Sequence, residues 1–270
     1  LVIDCDQFAL DIPVREIFKK YPHCEARDSI QFHVTDLLML QHVVSQKLEP
    51  LLMAIEAGAP EVGKPVHILY KGRKITQELL NTTLEVAFLQ QTVPGFSAAR
   101  SILEVGAGAG RTARGILSVN PDLKYIVVDI PPALFISQET LIKQYPKRRS
   151  RRFDPSTTSA SLAKDLANHD LLFLTPDQAA LIPERAVDLS VAIDCLHEMT
   201  PNMINMYFDL FDRVGHAVYF KCQNTQAAVT SRKIYEKFAS PTKATWTRIH
   251  HEDCGVPNHY FQALYQTGRR

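Results

Sequence analysis

Ile102-Leu103-Glu104-Val105-Gly106-Ala107-Gly108-Ala109-Gly110-Arg111 is the stretch on which the reading of this chain turns. An apolar run carries an acid near its end, glycines follow on alternate positions, and a helix-like stretch continues through Leu117. The pattern is that of a strand, a tight loop and a helix. Such a loop needs glycine where a Cβ would block close approach to a small ligand, or where φ is positive. The plain alternative is an ordinary strand–helix turn with no ligand.

A second run, Tyr125-Ile126-Val127-Val128-Asp129, is β-branched and ends in an acid about nineteen residues after Gly110. It reads as the next strand of a βαβ unit, with Asp129 placed to accept from ribose hydroxyls. A solvated loop acid is the bland reading of Asp129. A dinucleotide fingerprint has its glycines as G-x-G-x-x-G, over a helix N-terminus. Here the spacing is G-x-G-x-G, and Arg111 stands where the third dinucleotide glycine belongs. Glu104 suits a ligand that is cationic near the loop better than it suits a pyrophosphate. S-adenosylmethionine (SAM), with its sulfonium and α-ammonium groups, is such a ligand. The E-x-G-x-G-x-G form resembles motif I of the class I SAM-dependent methyltransferases.

Composition sets the bounds. The chain has 270 residues, 46% hydrophobic and 22% charged, with a net charge of +1. That is an ordinary globular balance, with no global field to draw nucleic acid or an anionic membrane. No apolar stretch reaches transmembrane length and no signal-peptide pattern opens the chain. The five cysteines are scattered, without a C-x-x-C pair. A disulfide framework or zinc site is therefore not expected, and a reducing cytoplasm fits best. The first residue is Leu1 rather than Met, so a trimmed or processed N-terminus is expected.

Residues 1–95 are expected to form a mainly helical cap that serves an acceptor pocket or a dimer face. Residues 30–55 and 75–91 carry apolar residues at helical spacing, with Thr76 as a cap and Pro94-Gly95 as a stop. Residues 96–270 are expected to form the SAM-binding core. Strands are expected at 101–105, 124–129, 170–174, 187–193, 216–221, 244–250 and 259–266. Helices are expected at 110–118, 133–145, 177–181, 201–212 and 229–238. This alternation implies an α/β fold with a doubly wound, mostly parallel, Rossmann-like sheet of seven strands. The last two strands are too close for a crossover and should form an antiparallel hairpin. The basic run 147–152 reads as a solvated loop, and 156–161 as a polar loop.

Several segments carry groups suited to chemistry. Asp177 and Gln178 follow the third core strand, where an acid or amide suits adenine; capping by Thr175 or Asp177 with Pro176 in the first turn explains them equally. Asp194-Cys195-Leu196-His197-Glu198-Met199 follows the fourth strand and lacks the Asn/Asp-Pro-Pro-aromatic motif of nitrogen methylation. His197 suits removal of a hydroxyl proton, with Glu198 or Asp194 to fix its tautomer. Its bland reading is a pocket-lining or capping histidine. Lys221 and His259 are secondary candidates. His250-His251-Glu252-Asp253-Cys254 reads as a surface turn, because adjacent strand residues point to opposite faces and cannot converge on a metal.

Residues 102–110, 128–129, 174–178, 194–199, 219–222 and 259–265 together resemble the sugar O-methyltransferase family, over roughly residues 70–266. The resemblance implies a class I methyltransferase core acting on a sugar hydroxyl. In that reading SAM is held by Glu104, Gly106, Ala107, Gly108, Gly110, Asp129, Ile130, Asp177, Gln178 and Asp194. His197, Glu198 and Asp194 serve catalysis. A divalent ion is left open; the sequence assigns no metal ligand, although Asp194 and Glu198 are suited to one. The expected partner is a sugar-type small molecule, with no nucleic acid or membrane partner and with a homodimer left open. A nicotinamide-dependent oxidoreductase and a non-catalytic SAM-binding module are the competing readings.

Overall fold

The computed structural model describes residues 8–9, 26–57, 66–223, 242–256 and 260–268. The chain divides into two compact units, Leu1–Phe88 and Leu89–Arg270. The helix expected at 229–238 and His259 lie outside the described residues.

The first unit holds helices α1 (Ala26–Ser45) and α2 (Glu49–Ala57) and a three-stranded sheet of β1 (Phe8–Ala9), β2 (Ile68–Tyr70) and β3 (Arg73–Ile75). The sheet was not expected in this part of the chain. Its β2–β3 turn has Lys71 and Gly72 at φ 50° and 76°. Two successive left-handed residues give the twist that a two-residue hairpin requires. Strands this short lack the alternation that would reveal them in sequence. Thr76 caps helix α3 (Gln77–Thr92) by accepting from the Leu79 N–H at 3.2 Å. Within this unit Asp36 is 1% exposed, and its Oδ1 has no hydrogen-bond partner.

The second unit is built on an eight-stranded sheet. In chain order its strands are β4 (Ser101–Val105), β5 (Lys124–Val128), β6 (Ser150–Arg151), β7 (Leu171–Leu174), β8 (Val187–Ile193), β9 (Gly215–Gln223), β10 (Thr247–Asp253) and β11 (Tyr260–Gln266). Their order across the sheet is β10-β11-β9-β8-β4-β5-β7-β6. Pairing is parallel from β9 to β6, whereas β11 is antiparallel to both neighbours. The fold is the α/β, doubly wound, Rossmann-like arrangement with an antiparallel last strand, inserted between β9 and β10. It has eight strands rather than seven, because β6 adds a short edge strand beyond β7.

The helices are α4 (Arg111–Val119), α5 (Pro131–Gln144), α6 (Ser159–Asn168), α7 (Pro176–Ala179) and α8 (Pro201–Val214). Strands β4, β5, β7 and β8 are buried almost throughout, as strands covered on both faces must be. Apolar side chains of α8 (Ile204, Tyr207, Phe208, Phe211, Val214) pack with those of β4, β8, β9 and β11 in one core cluster. Phe208 stacks on Trp246 at 5.6 Å and meets Phe220 edge-on at 5.5 Å.

Two sequence expectations are corrected around β6. The basic run is only in part a solvated loop: Lys147 and Arg149 are exposed in the turn before β6, while Ser150–Arg151 form that strand. Arg148 donates to the carbonyls of Pro121 and Leu123, Arg149 pairs with Asp170, Arg151 bridges Asp165 and Asp154, and Arg152 pairs with Glu139. These cations tie the edge strand to its neighbours. The polar segment that follows contains the start of α6, where Thr158 and Ser161 form a reciprocal cap. A third correction concerns residues 250–253. They are not a turn but the C-terminal half of β10, an exposed edge strand with a register irregularity between Arg248 and His250.

Candidate functional site

The chain runs from β4 outward to β5, then returns to place β8 on the other side of β4. The carboxyl ends of β4 and β8 therefore flank a topological switch point, where open α/β sheets leave a ligand crevice. The glycine loop follows β4 and Asp194 follows β8. Asp129 follows β5, Asp177 lies in α7 after β7, and Tyr260 opens the antiparallel β11 at the same end. One end of the sheet thus gathers most of the residues singled out in the sequence.

Gly106, Gly108 and Gly110 have φ of 73°, 54° and 79°. All three take the left-handed conformation that side chains disfavour. Their surroundings differ. A Cβ on Gly106 would lie 2.5 Å from Cys195 Cβ, and one on Gly110 would lie 3.0 Å from Leu141 Cγ. A Cβ on Gly108 would meet nothing within 4 Å. The outer glycines serve internal packing, and the middle one faces open space. Cys195 closes against the loop, its Sγ 3.2 Å from the Val105 carbonyl. Burial holds its thiol well above the usual range, so it stays protonated.

Asp129 is 9% exposed. Its Oδ2 accepts from the Gly108 N–H at 2.9 Å and its Oδ1 from the Ile130 N–H at 2.8 Å. Burial raises its pKa, and the two N–H donors oppose that rise. The carboxylate braces the middle of the glycine loop, and each oxygen keeps a further lone pair for a ligand hydroxyl. Ile130, beside it at the N-cap of α5, is 53% exposed.

Glu104 is the penultimate residue of β4, just before the glycine loop. It is buried, and its Oε2 accepts from the Tyr125 hydroxyl at 2.8 Å. Tyr125 pairs in register with Ile102, two residues back along β4. The bond between Tyr125 and Glu104 ties the end of β4 to the neighbouring strand β5. Gln178 is also engaged. Its Nε2 donates to the Asp154 carbonyl at 2.7 Å, and its Oε1 accepts from the Thr175 N–H at 3.3 Å. Its amide secures the Asp154 turn and the start of α7, while Asp177 beside it is exposed.

After β8, Asp194 takes φ 56° and exposes its carboxylate. Its N–H donates to the Lys221 carbonyl at 2.9 Å. Asp194 Oδ1 lies 3.6 Å from His197 Nε2, too far for a hydrogen bond. His197 sits in the 3-10 turn Leu196–Glu198, its Nδ1 buried without a hydrogen-bond partner, and Glu198 is exposed. Among the described residues no group of three or more His, Cys, Asp or Glu side chains is arranged to hold a metal ion.

Two residues at this end were not picked out as site residues in the sequence. Tyr260 donates to Asp194 Oδ1 at 2.8 Å. Tyr207 of α8 is 2% exposed. Burial pushes its phenol up to about 12, with Cys195, Asp129 and Asp177 as electrostatic neighbours. Only the antiparallel setting of β11 could have announced Tyr260, and nothing in the helical pattern of 201–214 separates Tyr207 from its core neighbours.

No protein-family model matches the chain, and comparison with curated proteins gives no match. Solved structures do resemble it. The mitomycin 7-O-methyltransferase MmcR is 15% identical with a TM-score of 0.44, covering 71% of this chain, which spans 57% of MmcR. A SAM-dependent methyltransferase from Aquifex aeolicus is 12% identical with a TM-score of 0.44, covering 67% of this chain and 93% of its own. The fibrillarin pre-rRNA processing protein of Methanococcus jannaschii is 11% identical with a TM-score of 0.44, covering 63% and 67%. At these identities the likeness is one of fold.

Proposed function

We propose that this chain is a SAM-dependent O-methyltransferase that methylates a hydroxyl of a sugar or sugar-containing small molecule. The observation that carries the cofactor reading is Gly108, open on its outer side and braced by Asp129 at the switch point. A backbone bare of Cβ beside a carboxylate with spare lone pairs suits a nucleoside ribose. Exposed Ile130 offers an apolar surface for a base, and Asp177 a carboxylate for an exocyclic amine. Glu104 and Gln178 contribute by fixing β4 and α7. Asp194 presents a negative charge beside the loop, which suits the cationic end of SAM. The sugar acceptor rests on the resemblance of the sequence motifs alone. Residues 1–95 are the proposed acceptor or dimer region, and the proposed compartment is the cytoplasm.

When bound, SAM supplies an activated methyl group on a positively charged sulfur. The work left to the protein is to hold the acceptor oxygen in line and to take its proton. His197 Nε2 is the nitrogen for that proton, because Nδ1 is shut off from water. The Asp194 carboxylate, 3.6 Å from the same nitrogen, stabilises the developing imidazolium through its charge.

Calorimetric titration with SAM, then turnover with panels of sugar and non-sugar hydroxyl acceptors, tests the reading. Asp129→Asn is expected to weaken SAM at least tenfold, by removing a charge from the ribose subsite. His197→Ala is expected to retain SAM and lose most turnover. Wild-type protein that binds no SAM would overturn the cofactor assignment, and His197→Ala with full turnover would overturn the base.

A further inference from the structure

The open ends of β8, β9 and β11 carry a connected row of side chains that the function above leaves without a role. Tyr260 Oη donates to Asp194 Oδ1 at 2.8 Å. Gln223 Nε2 donates in turn to Tyr260 Oη at 3.3 Å. Lys221 is buried, with its Nζ 5.2 Å from the centre of the Tyr260 ring, within cation–π range. The oxygen that accepts from Tyr260 is also the one nearest His197 Nε2.

Asp194 is the reason such a row is needed. Its left-handed backbone is uncommon for a side-chain-bearing residue and persists where its surroundings over-determine it. The bond from its N–H to the Lys221 carbonyl fixes the backbone. It does not fix the carboxylate, which is short, exposed and able to swing about χ1 and χ2. The Tyr260 hydroxyl supplies that constraint, and Tyr260 is itself held at its oxygen by Gln223 and at its ring by Lys221.

We infer that Tyr260 is the positioning residue of this site: its hydroxyl holds the Asp194 carboxylate at the crevice mouth, between the positive end of the bound ligand and the Nε2 edge of His197. The inference rests on the SAM reading. It assigns to the antiparallel strand a part in reading ligand charge, in addition to its part in the sheet.

SAM and S-adenosylhomocysteine isolate that charge, because they differ by one methyl group and one positive charge. Their dissociation constants are to be measured for wild type, Tyr260→Phe, Asp194→Asn and the double variant, with melting temperatures alongside. Tyr260→Phe keeps the ring under Lys221 and removes only the hydroxyl. It is expected to weaken SAM about tenfold or more relative to S-adenosylhomocysteine, the lower end of the weight of one hydrogen bond to a charged group. Its melting temperature should stay within about 2 °C of wild type. Asp194→Asn should shift the same ratio, and the double variant should shift it no further than Asp194→Asn alone. A Tyr260→Phe that weakens both ligands equally or changes neither, or a double variant whose shifts add, overturns the inference. Wild type that fails to bind SAM overturns the underlying function instead.

Discussion

The three loop glycines make a graded test, because one substitution meets a different obstacle at each position. Any L-residue at these φ values costs about 1–2 kcal/mol. Gly108→Ala adds nothing to that, since its Cβ would stand in open space. Gly110→Ala presses on Leu141 at 3.0–3.2 Å, contacts that a flexible side chain relieves by a small shift. Gly106→Ala drives its Cβ to 2.5 Å from Cys195 Cβ and 2.8 Å from Sγ. Overpacking of that kind costs about 1–3 kcal/mol further, so Gly106→Ala should lose about 2–5 kcal/mol in all. Denaturant unfolding should rank the variants Gly108→Ala, Gly110→Ala, Gly106→Ala in order of increasing loss. SAM affinity should rank them otherwise, with Gly108→Ala losing at least tenfold despite the mildest loss of stability. Introducing Cys195→Gly beside Gly106→Ala removes the obstructing atoms, and the double-mutant cycle should show a favourable coupling of about 1 kcal/mol or more. Gly108→Ala that binds SAM as wild type does would refute the ligand approach, and zero coupling would refute the packing account of Gly106.

Two further expectations concern stability. Burial raises the Asp36 carboxyl from 3.8 to about 7, so between about pH 4 and 7 the folded chain keeps a proton that the unfolded chain has lost. Stability therefore falls as pH rises through that window, by about 1.4 kcal/mol per unit at most, and levels off above it; Asp36→Asn should flatten the slope, as unfolding in denaturant at pH 5 and pH 8 would reveal. Arg151, 22% exposed, bridges Asp165 and Asp154, whereas Arg149, 64% exposed, pairs with Asp170. Arg151→Ala should cost about 1–3 kcal/mol, as a loss of hydrogen bonds to charged groups, and more than Arg149→Ala, whose exposed ion pair is screened by solvent, with thermal melts at low and high salt as the check.

What the residues alone made legible about this protein was the periodic part. The β-branched runs of β4, β5 and β8, the glycines between β4 and α4, and the missing crossover before β11 follow from local propensity and chain length, which the sequence carries directly. Strand β6 and the β2–β3 hairpin escaped that reading because they are two or three residues long, too short to display a period. The meaning of the basic run escaped it as well, since a cation looks the same in sequence whether it faces water or a carboxylate brought alongside by the sheet. Within the candidate site, Gly108, Asp129 and Asp194 lie at strand ends that the pattern already marked. The tertiary structure decided the rest. It paired Glu104 with Tyr125, committed the Gln178 amide to the Asp154 carbonyl, and set Cys195 against Gly106. It also brought Tyr260, 66 residues away in the chain, into contact with Asp194. Pairings of that kind depend on how strands are ordered across a sheet, and strand order is set by burial of the whole core rather than by any local run of residues.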